Sequence, residues 1–278
     1  MNNFITLENS KIYSLIDINY GGKIVSLKNK FNNVEWVWFN SSKYDNFSPI
    51  EYSDYDSQWL GGYEELFPND KVEYLNDKEA PDHGELWSSR WQVVNKTSTK
   101  LQIECTGYFS NSKIIKKFEL INNKLIVKYE INNIEFDYYL FKLHLAFPTN
   151  KKKVEFKFES YEKVNNQFGN IVGKESLNNF LTSIKPNQDS NDFVYFYGVE
   201  GNVKIFDETD NLCILDYDKE TLPYFWMFQS RGGWNNLNVN VLEPCNSGLK
   251  DIKNAVEKNL IYTPKENNFK TWYTIELV

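Results

Sequence analysis

The sequence lacks several features that would place it in a large protein class at once. None of its apolar runs approaches the ~20 residues that a membrane-spanning helix needs, and no basic segment followed by an apolar one opens the chain. The net charge of the 278 residues is −7, and lysine and arginine are scattered among acids without forming a stripe. Because nucleic acids and anionic membranes attract basic surfaces, we expect a soluble protein that binds neither.

Cysteine and histidine are also scarce. Three cysteines at wide spacing, Cys105, Cys213 and Cys245, form no CxxC pair, which favours a reducing, cytoplasmic environment. The chain has two histidines, His83 and His144, which are far apart in sequence and form no HxH pair. A metal held by both histidines and a carboxylate is therefore disfavoured, and we expect no metal and no cofactor.

Four common catalytic motifs are absent: GxSxG, GxxxxGK[ST], HExxH and GxGxxG. Their absence disfavours serine hydrolases, nucleotide-binding enzymes and zinc proteases. Glycoside hydrolysis needs two carboxylates, which could come from Glu64, Glu65, Glu85 and Glu243. A glycosidase therefore remains an open alternative.

What the sequence does contain is a period of two. Short β-branched and aromatic runs alternate with polar residues, and asparagine doublets such as Asn122-Asn123 supply the tight turns of antiparallel hairpins. One segment, 248–259, has apolar residues at helical spacing. The runs predict strands over residues 23–29, 34–39, 101–109, 113–120, 124–131, 136–148, 153–159, 193–199, 211–217, 224–229, 238–244 and 271–278.

More than ten strands without long helices predict an all-β protein, a large antiparallel β-sandwich. No composition break, repeat or low-complexity linker divides the chain, so we expect one domain over residues 1–278. The widest interval without a strand pattern runs from 40 to 89 and mixes glycine, proline, acids and aromatics. Such a composition is typical of an ordered loop that lies over a site.

His144 lies in the predicted strand FKLHLAFP. Alternation places four apolar residues on one face of this strand and Lys142, His144 and Ala146 on the other, away from the core. The small Ala146 leaves open volume beside the imidazole, as a ligand groove would need. The alternative is a solvated strand histidine.

Two other residues are candidates for acid–base chemistry. His83 follows Asp82, which could fix the tautomer of its imidazole, and precedes the small Gly84. Glu243 ends a predicted strand among apolar neighbours, where desolvation disfavours its charged form and makes it a better base. The alternatives are an ordinary loop histidine and a strand-end carboxylate that accepts backbone hydrogen bonds.

Four segments together resemble the aldose 1-epimerase, or galactose mutarotase-like, superfamily. They are GGKIVSL at 21–27, GGYEELFP with DHGELWSSRW in the long loop, HLAFP at His144, and LEPCNSG at Glu243. A fifth, YTPKENNFKTWYTIEL, resembles the closing turn and strand of the family. The resemblance implies a large antiparallel β-supersandwich with a sugar site in an open groove.

The resemblance also implies a role for each matched residue. His144 would be the general acid, Glu243 the general base and His83 a histidine that orients the substrate. Arg90 and Gln229 are further candidates for contacts with the substrate. These roles require the strands of His144 and Glu243 to be neighbours, with the long loop folding back to bring His83 over them.

The implied activity is interconversion of the α and β anomers of a free sugar by acid–base ring opening, with no cofactor and no metal. The partner would be a small-molecule carbohydrate, and we expect a cytoplasmic monomer or homodimer. Three alternatives stay open: a non-catalytic carbohydrate-binding β-sandwich protein, a hexose-phosphate mutarotase with Arg90 as the phosphate contact, and the glycosidase already mentioned.

Overall fold

The computed structural model describes residues 4–46, 50–149, 153–165, 170–175, 180–183, 190–264 and 266–278. Two short α-helices, α1 (Tyr55–Gln58) and α2 (Ile252–Glu257), and two 3-10 helices, Ser41–Asn46 and Leu86–Ser88, lie in these ranges. None of them is long and apolar enough to cross a membrane. The strands within the same ranges are β1 (Phe4–Glu8), β2 (Ile12–Asp17), β3 (Lys23–Asn29), β4 (Tyr63–Leu66), β5 (Tyr74–Leu75), β6 (Lys78–Glu79), β7 (Gln92–Lys96), β8 (Lys100–Thr106), β9 (Lys113–Ile121), β10 (Lys124–Asn132), β11 (Lys142–Pro148), β12 (Lys153–Phe156), β13 (Ser160–Asn165), β14 (Asn170–Glu175), β15 (Phe180–Ser183), β16 (Ser190–Tyr197), β17 (Asn202–Phe206), β18 (Leu212–Tyr217), β19 (Tyr224–Arg231), β20 (Asn238–Cys245) and β21 (Asn268–Leu277).

Most of these strands form two large antiparallel sheets. The ten-stranded sheet has the order β1, β2, β3, β4, β11, β20, β19, β16, β13, β14, and the nine-stranded sheet has the order β15, β12, β17, β18, β21, β10, β9, β8, β7. Strands β5 and β6 pair by themselves. The expected all-β fold, a large antiparallel β-sandwich, is confirmed.

The main hydrophobic core lies between the two large sheets. Leu143 and Leu242 enter it from the ten-stranded sheet, and Phe118 enters it from the nine-stranded sheet. Since successive residues of a strand face opposite ways, the chain neighbours of these two leucines, His144 and Glu243, lie on the outer face of the ten-stranded sheet. The core therefore fixes the face on which the candidate residues appear.

The outer face around these residues is covered. Tyr55 and Trp59 from the 40–89 segment, together with Ile252 from α2, belong to a second buried cluster that also contains Ala146 and Val241 of the sheet. The segment was expected to be a loop over a site, and it does cover this face. It also contributes a strand of its own, β4, to the middle of the sheet, which the sequence pattern did not indicate.

Residues 34–39 do not form the predicted strand. Glu35 makes an isolated bridge with Lys28, and Phe39 makes another with Gly61. The two ends thus pair with different parts of the sheet, so no continuous ladder forms, although Trp36 is buried. The predicted helix over 248–259 is confirmed in position but is shorter, because α2 spans six residues.

Candidate functional site

Three titratable side chains lie in a row across the outer face of the ten-stranded sheet. His144 on β11 pairs with Glu64 on β4, and the register of β11 with β20 sets His144 alongside Glu243. His144 Nδ1 is 3.8 Å from Glu64 Oε1, and His144 Nε2 is 3.9 Å from Glu243 Oε1. The expectation that the strands of His144 and Glu243 are neighbours is confirmed.

Glu243 is buried next to a lysine. Its side chain is 1 % exposed, and its Oε2 atom lies 2.6 Å from the ammonium group of Lys142. Burial raises the pKa of Glu243 above its usual value, and the charge of Lys142 opposes that rise. A carboxylate with a raised pKa accepts a proton more readily than an exposed one, as a general base must.

Glu64 forms the other end of the row and is fully buried. Lys23 Nζ lies 2.5 Å from Glu64 Oε2, and both the Tyr55 hydroxyl and the Trp59 indole N–H donate to Glu64 Oε1, at 2.7 and 3.0 Å. The Tyr55 oxygen is also 3.2 Å from His144 Nδ1. Because the tyrosine proton goes to the carboxylate, its oxygen can accept from Nδ1–H, which orients the imidazole with Nε2 towards Glu243.

His144 is uncharged at neutral pH in this environment. Burial lowers its pKa well below 6.5, and the positive charges of Lys142, His83 and Lys23 lower it further. Neither of the two nearby carboxylates, Glu64 and Glu243, keeps His144 protonated. The physical reason is that each neighbouring carboxylate is already paired with a buried lysine.

His83 has the opposite electrostatic character. Burial disfavours its charged form, but the hydrogen bond of Nδ1 with Asp82 Oδ1, at 2.8 Å, and the charge of Asp70 outweigh burial and raise its pKa above 6.5. Its ring stacks on Tyr55 with centroids 4.1 Å apart. The backbone of His83 is left-handed, with φ of +56°, a conformation that is rare for histidine and often found at functional sites. The expected Asp82 contact is confirmed.

These groups surround a cavity of about 190 Å³. The long loop folds back so that His83 lines the same cavity as His144 and Glu243. The cavity lining combines polar and apolar side chains, a combination that suits a ring with hydroxyl groups and C–H faces. Its polar lining includes Asp56, Asp70, His83, Lys142, His144 and Glu243, and its apolar lining includes Tyr55, Trp59, Phe193, Phe228, Trp234 and Val241.

Arg90 and Gln229, both expected at the groove, do not line this cavity. Arg90 is exposed and borders a separate surface depression with Tyr108. Gln229 alternates with Phe228 along β19 and contacts Met227 Sδ at 3.8 Å, on the opposite face of the sheet. The expectation for both residues is wrong, because neither local sequence revealed which surface the side chain would reach.

Three of the four glutamates considered for glycoside hydrolysis are structural. Glu65 points into the sandwich core and pairs with Lys116 at 2.6 Å. Glu85 accepts a hydrogen bond from the Phe109 backbone at 2.6 Å and anchors the loop. Glu64 lies beneath the cavity wall, so Glu243 is the one glutamate among the four that lines the cavity.

Sequence reasoning missed several residues of the cavity. Lys142 shares the face of His144, and alternation alone could have found it. Asp70, Tyr55 and Trp234 come from segments with no regular pattern, so no local signal marked them. Asp56 and Asp70 both line the cavity.

Among the described residues, neither the cysteines nor a metal-binding cluster provides a second candidate site. Cys105, Cys213 and Cys245 are buried and form no disulfide, and burial raises the pKa of the Cys105 and Cys245 thiols, which makes them poor nucleophiles. Within the same residues, no group of three or more histidine, cysteine or acidic side chains is arranged to hold a metal ion.

No protein-family model matches the chain, and no curated protein matches its sequence. Solved structures match it over nearly the full length. A galactose mutarotase related enzyme from Lactobacillus acidophilus has 13% identity and a TM-score of 0.73, covering 99% of this chain and 97% of its own. A galactose mutarotase-like protein from Lactobacillus casei has 17% identity and a TM-score of 0.70, covering 99% and 100%. A galactose mutarotase-like protein from Clostridium acetobutylicum has 14% identity and a TM-score of 0.68, covering 99% and 95%. At these identities the likeness shows the fold: the chain has the galactose mutarotase-like sandwich that the resemblance implied.

Proposed function

We propose that this protein is an aldose 1-epimerase-like isomerase that interconverts the α and β anomers of a free sugar. The observation that carries the proposal is the Glu64–His144–Glu243 row, whose last two members open into a cavity with His83. The row supplies one basic and one acidic group, which is what anomer exchange needs. The names of the structural neighbours support the same activity.

The proposed reaction begins at the anomeric carbon. Glu243 Oε1 takes the proton of the C1 hydroxyl, while protonated His144 gives the proton on Nε2 to the ring oxygen. The bond between C1 and the ring oxygen breaks, and C1 becomes an aldehyde carbon. Rotation about the C1–C2 bond presents the other face, and the reverse transfers close the ring and restore both residues.

The remaining cavity residues would bind the sugar. The polar side chains of the lining, including His83 and Asp70, are suited to contacts with hydroxyl groups. Trp59 and Trp234 can stack on the C–H face of the ring. We further propose that residues 1–278 act as one domain, as a monomer or homodimer. We also propose a cytoplasmic location, because none of the three cysteines forms a disulfide among the described residues.

A panel of pure aldose anomers tests the proposal. Polarimetry should show accelerated mutarotation for at least one of them at catalytic amounts of protein. Sugar-dependent thermal stabilisation without any acceleration would instead indicate a carbohydrate-binding protein. Release of reducing sugar from an oligosaccharide would indicate a glycosidase.

The pH dependence of kcat/KM follows from the two pKa shifts. The base is lost as pH falls through the raised pKa of Glu243, and the acid is lost as pH rises through the lowered pKa of His144. We expect a bell-shaped profile with its optimum on the acid side of neutrality. A rate that does not fall as pH rises through neutrality would contradict the assignment of His144 as the acid.

Replacing His83 should affect binding at least as much as turnover. His83→Asn removes an imidazole that is held by Asp82 and Tyr55 at the cavity wall, so KM should rise by at least the factor by which kcat falls. Arg90→Ala is the matched control, because Arg90 lies outside the cavity and both constants should stay near wild type. Steady-state exchange rates over a range of sugar concentrations provide both constants. A fall in kcat alone would argue against the orienting role.

A further inference from the structure

Lys142 occupies a position that is unusual for a lysine. Its side chain is 3 % exposed, although it lies on β11 only two residues from His144. The ammonium group is 2.6 Å from Glu243 Oε2 and 2.6 Å from Asp70 Oδ1, and it lies 4.4 Å from the centre of the Trp226 ring. Lysine is seldom buried unless it is paired, and here two carboxylates compete for one cation.

We propose that Lys142 is a positioning residue for the base: it keeps Glu243 ionised inside the cavity and turns its Oε1 atom towards the reacting sugar. The catalytic meaning of this inference rests on the proposed function. The coupling between the two charges is a property of the site and does not depend on turnover.

The geometry defines which carboxylate oxygen of Glu243 is available to take a proton from the sugar. Oε2 is engaged by Lys142, whereas Oε1 faces His144 Nε2 at 3.9 Å. A sugar whose C1 hydroxyl reaches Oε1 would therefore bring its ring oxygen near the imidazole. Without the lysine, rotation of the carboxylate would no longer be restricted in this way, and either oxygen could turn away from the imidazole.

The charge of Lys142 also offsets the cost of burying a carboxylate. Desolvation disfavours ionised Glu243, and an adjacent cation is the strongest available counterweight. Asp70 acts in the opposite sense, because it repels Glu243 and also shares the ammonium group. The titratable groups that face or flank Glu243 across the site are Lys142 and His144 from β11, Asp70 and His83 from the loop, Tyr55 from α1 and Tyr195 from β16.

Lys142 itself is not a candidate for proton transfer. Burial alone would lower its pKa, but Asp70 and Glu243 outweigh that effect and raise its pKa above the usual value. The lysine therefore stays protonated throughout the range in which Glu243 and His144 titrate. Its contribution is a fixed charge, a hydrogen bond to Asp70 and an ion pair with Glu243.

A titration of Glu243 tests the coupling directly. Carbon-13 NMR of the side-chain carboxyl, assigned with Glu243→Gln, reports the titration midpoint in the full-length protein without any substrate. Lys142→Met should raise the midpoint by about 1–3 pH units, because an opposite charge at this range is lost. Asp70→Asn should lower the midpoint, because the competing anion is removed while an amide can still accept from Lys142.

Two further variants control for structural damage. Lys116→Met removes an equally buried lysine, paired with Glu65 at 2.6 Å in the sandwich core, and should leave the Glu243 midpoint unchanged. Lys142→Arg retains the charge and should restore much of the wild-type midpoint. If Lys142→Met does not fold, the expected fall of the Glu243 midpoint in Asp70→Asn still tests whether the charges at this site are coupled. A midpoint that stays at the wild-type value in Asp70→Asn, or that falls in Lys142→Met, overturns the inference.

The pH profile of anomer exchange provides a second readout. In Lys142→Met the acid limb of kcat/KM should move to higher pH with the NMR midpoint, whereas a merely structural role would lower the rate without moving the limb. The two proposals fail separately. Unmoved midpoints in an active protein overturn the role of Lys142, and shifted midpoints in a protein that exchanges no sugar overturn the proposed function.

Discussion

Glu243→Gln is expected to lower kcat/KM for anomer exchange by about 10²–10⁴-fold, the usual loss when a general base is removed. Glutamine retains the shape of the side chain and can still contact Lys142, but it cannot take the proton of the C1 hydroxyl. Sugar affinity should change much less than the exchange rate, because the rest of the cavity is intact. Polarimetry and ligand-dependent thermal stabilisation, measured on the same preparation, separate the two effects.

Glu65→Gln is the matched control for this prediction. It makes the same chemical change two strands away, but Glu65 points into the sandwich core and contacts Lys116 and Tyr129. Folded Glu65→Gln should exchange anomers at a rate near that of wild type. Near-normal exchange by Glu243→Gln would return Glu243 to the role of a structural carboxylate.

His144→Asn is expected to cause a loss of the same order, about 10²–10⁴-fold in kcat/KM. Asparagine can keep a hydrogen bond with Tyr55, but it cannot donate a proton to the ring oxygen. Because Glu243 and His144 act in one step, the double variant should be little slower than the slower single variant. Rates of the two single variants and of the double variant, measured at the pH optimum of the wild type, check this expectation.

Additive losses in the double variant would contradict a shared step. A comparison with His83→Asn adds a second check, because that change should act mainly on KM. If His83→Asn instead abolished turnover and His144→Asn did not, the acid would be His83, whose pKa is raised by its hydrogen bond with Asp82 and by the charge of Asp70.

The fold could be predicted where a strand has one face in the core. The expected strands at 113–120 and 124–131 match β9 and β10 within one residue, and every second side chain of each strand is buried. Strand β4 was missed because all four of its residues are buried, so there is no alternation to detect. Two of the four are glutamates that are buried only because Lys23 and Lys116, distant in sequence, pair with them.

The site could be predicted in part from the alternation of side chains along its strands. Alternation placed His144 on the face away from the core, and the resemblance linked it to Glu243 and His83. What no local pattern shows is the electrostatics, because Lys142 meets Asp70 across 72 positions of sequence. The charge of Lys142 lowers the pKa of His144 and opposes the rise in the pKa of Glu243.

Exchange NMR on equilibrated sugars tests the central claim most directly. The α and β anomeric proton signals of each aldose in a panel are observed with buffer alone, with the wild-type protein and with Glu243→Gln. We predict that, for at least one aldose, wild-type protein produces exchange between the two signals well above the buffer rate, and that Glu243→Gln returns it close to that rate. Exchange no faster than buffer for every aldose, in a protein that one of those sugars measurably stabilises, would contradict the account and identify a binding protein instead.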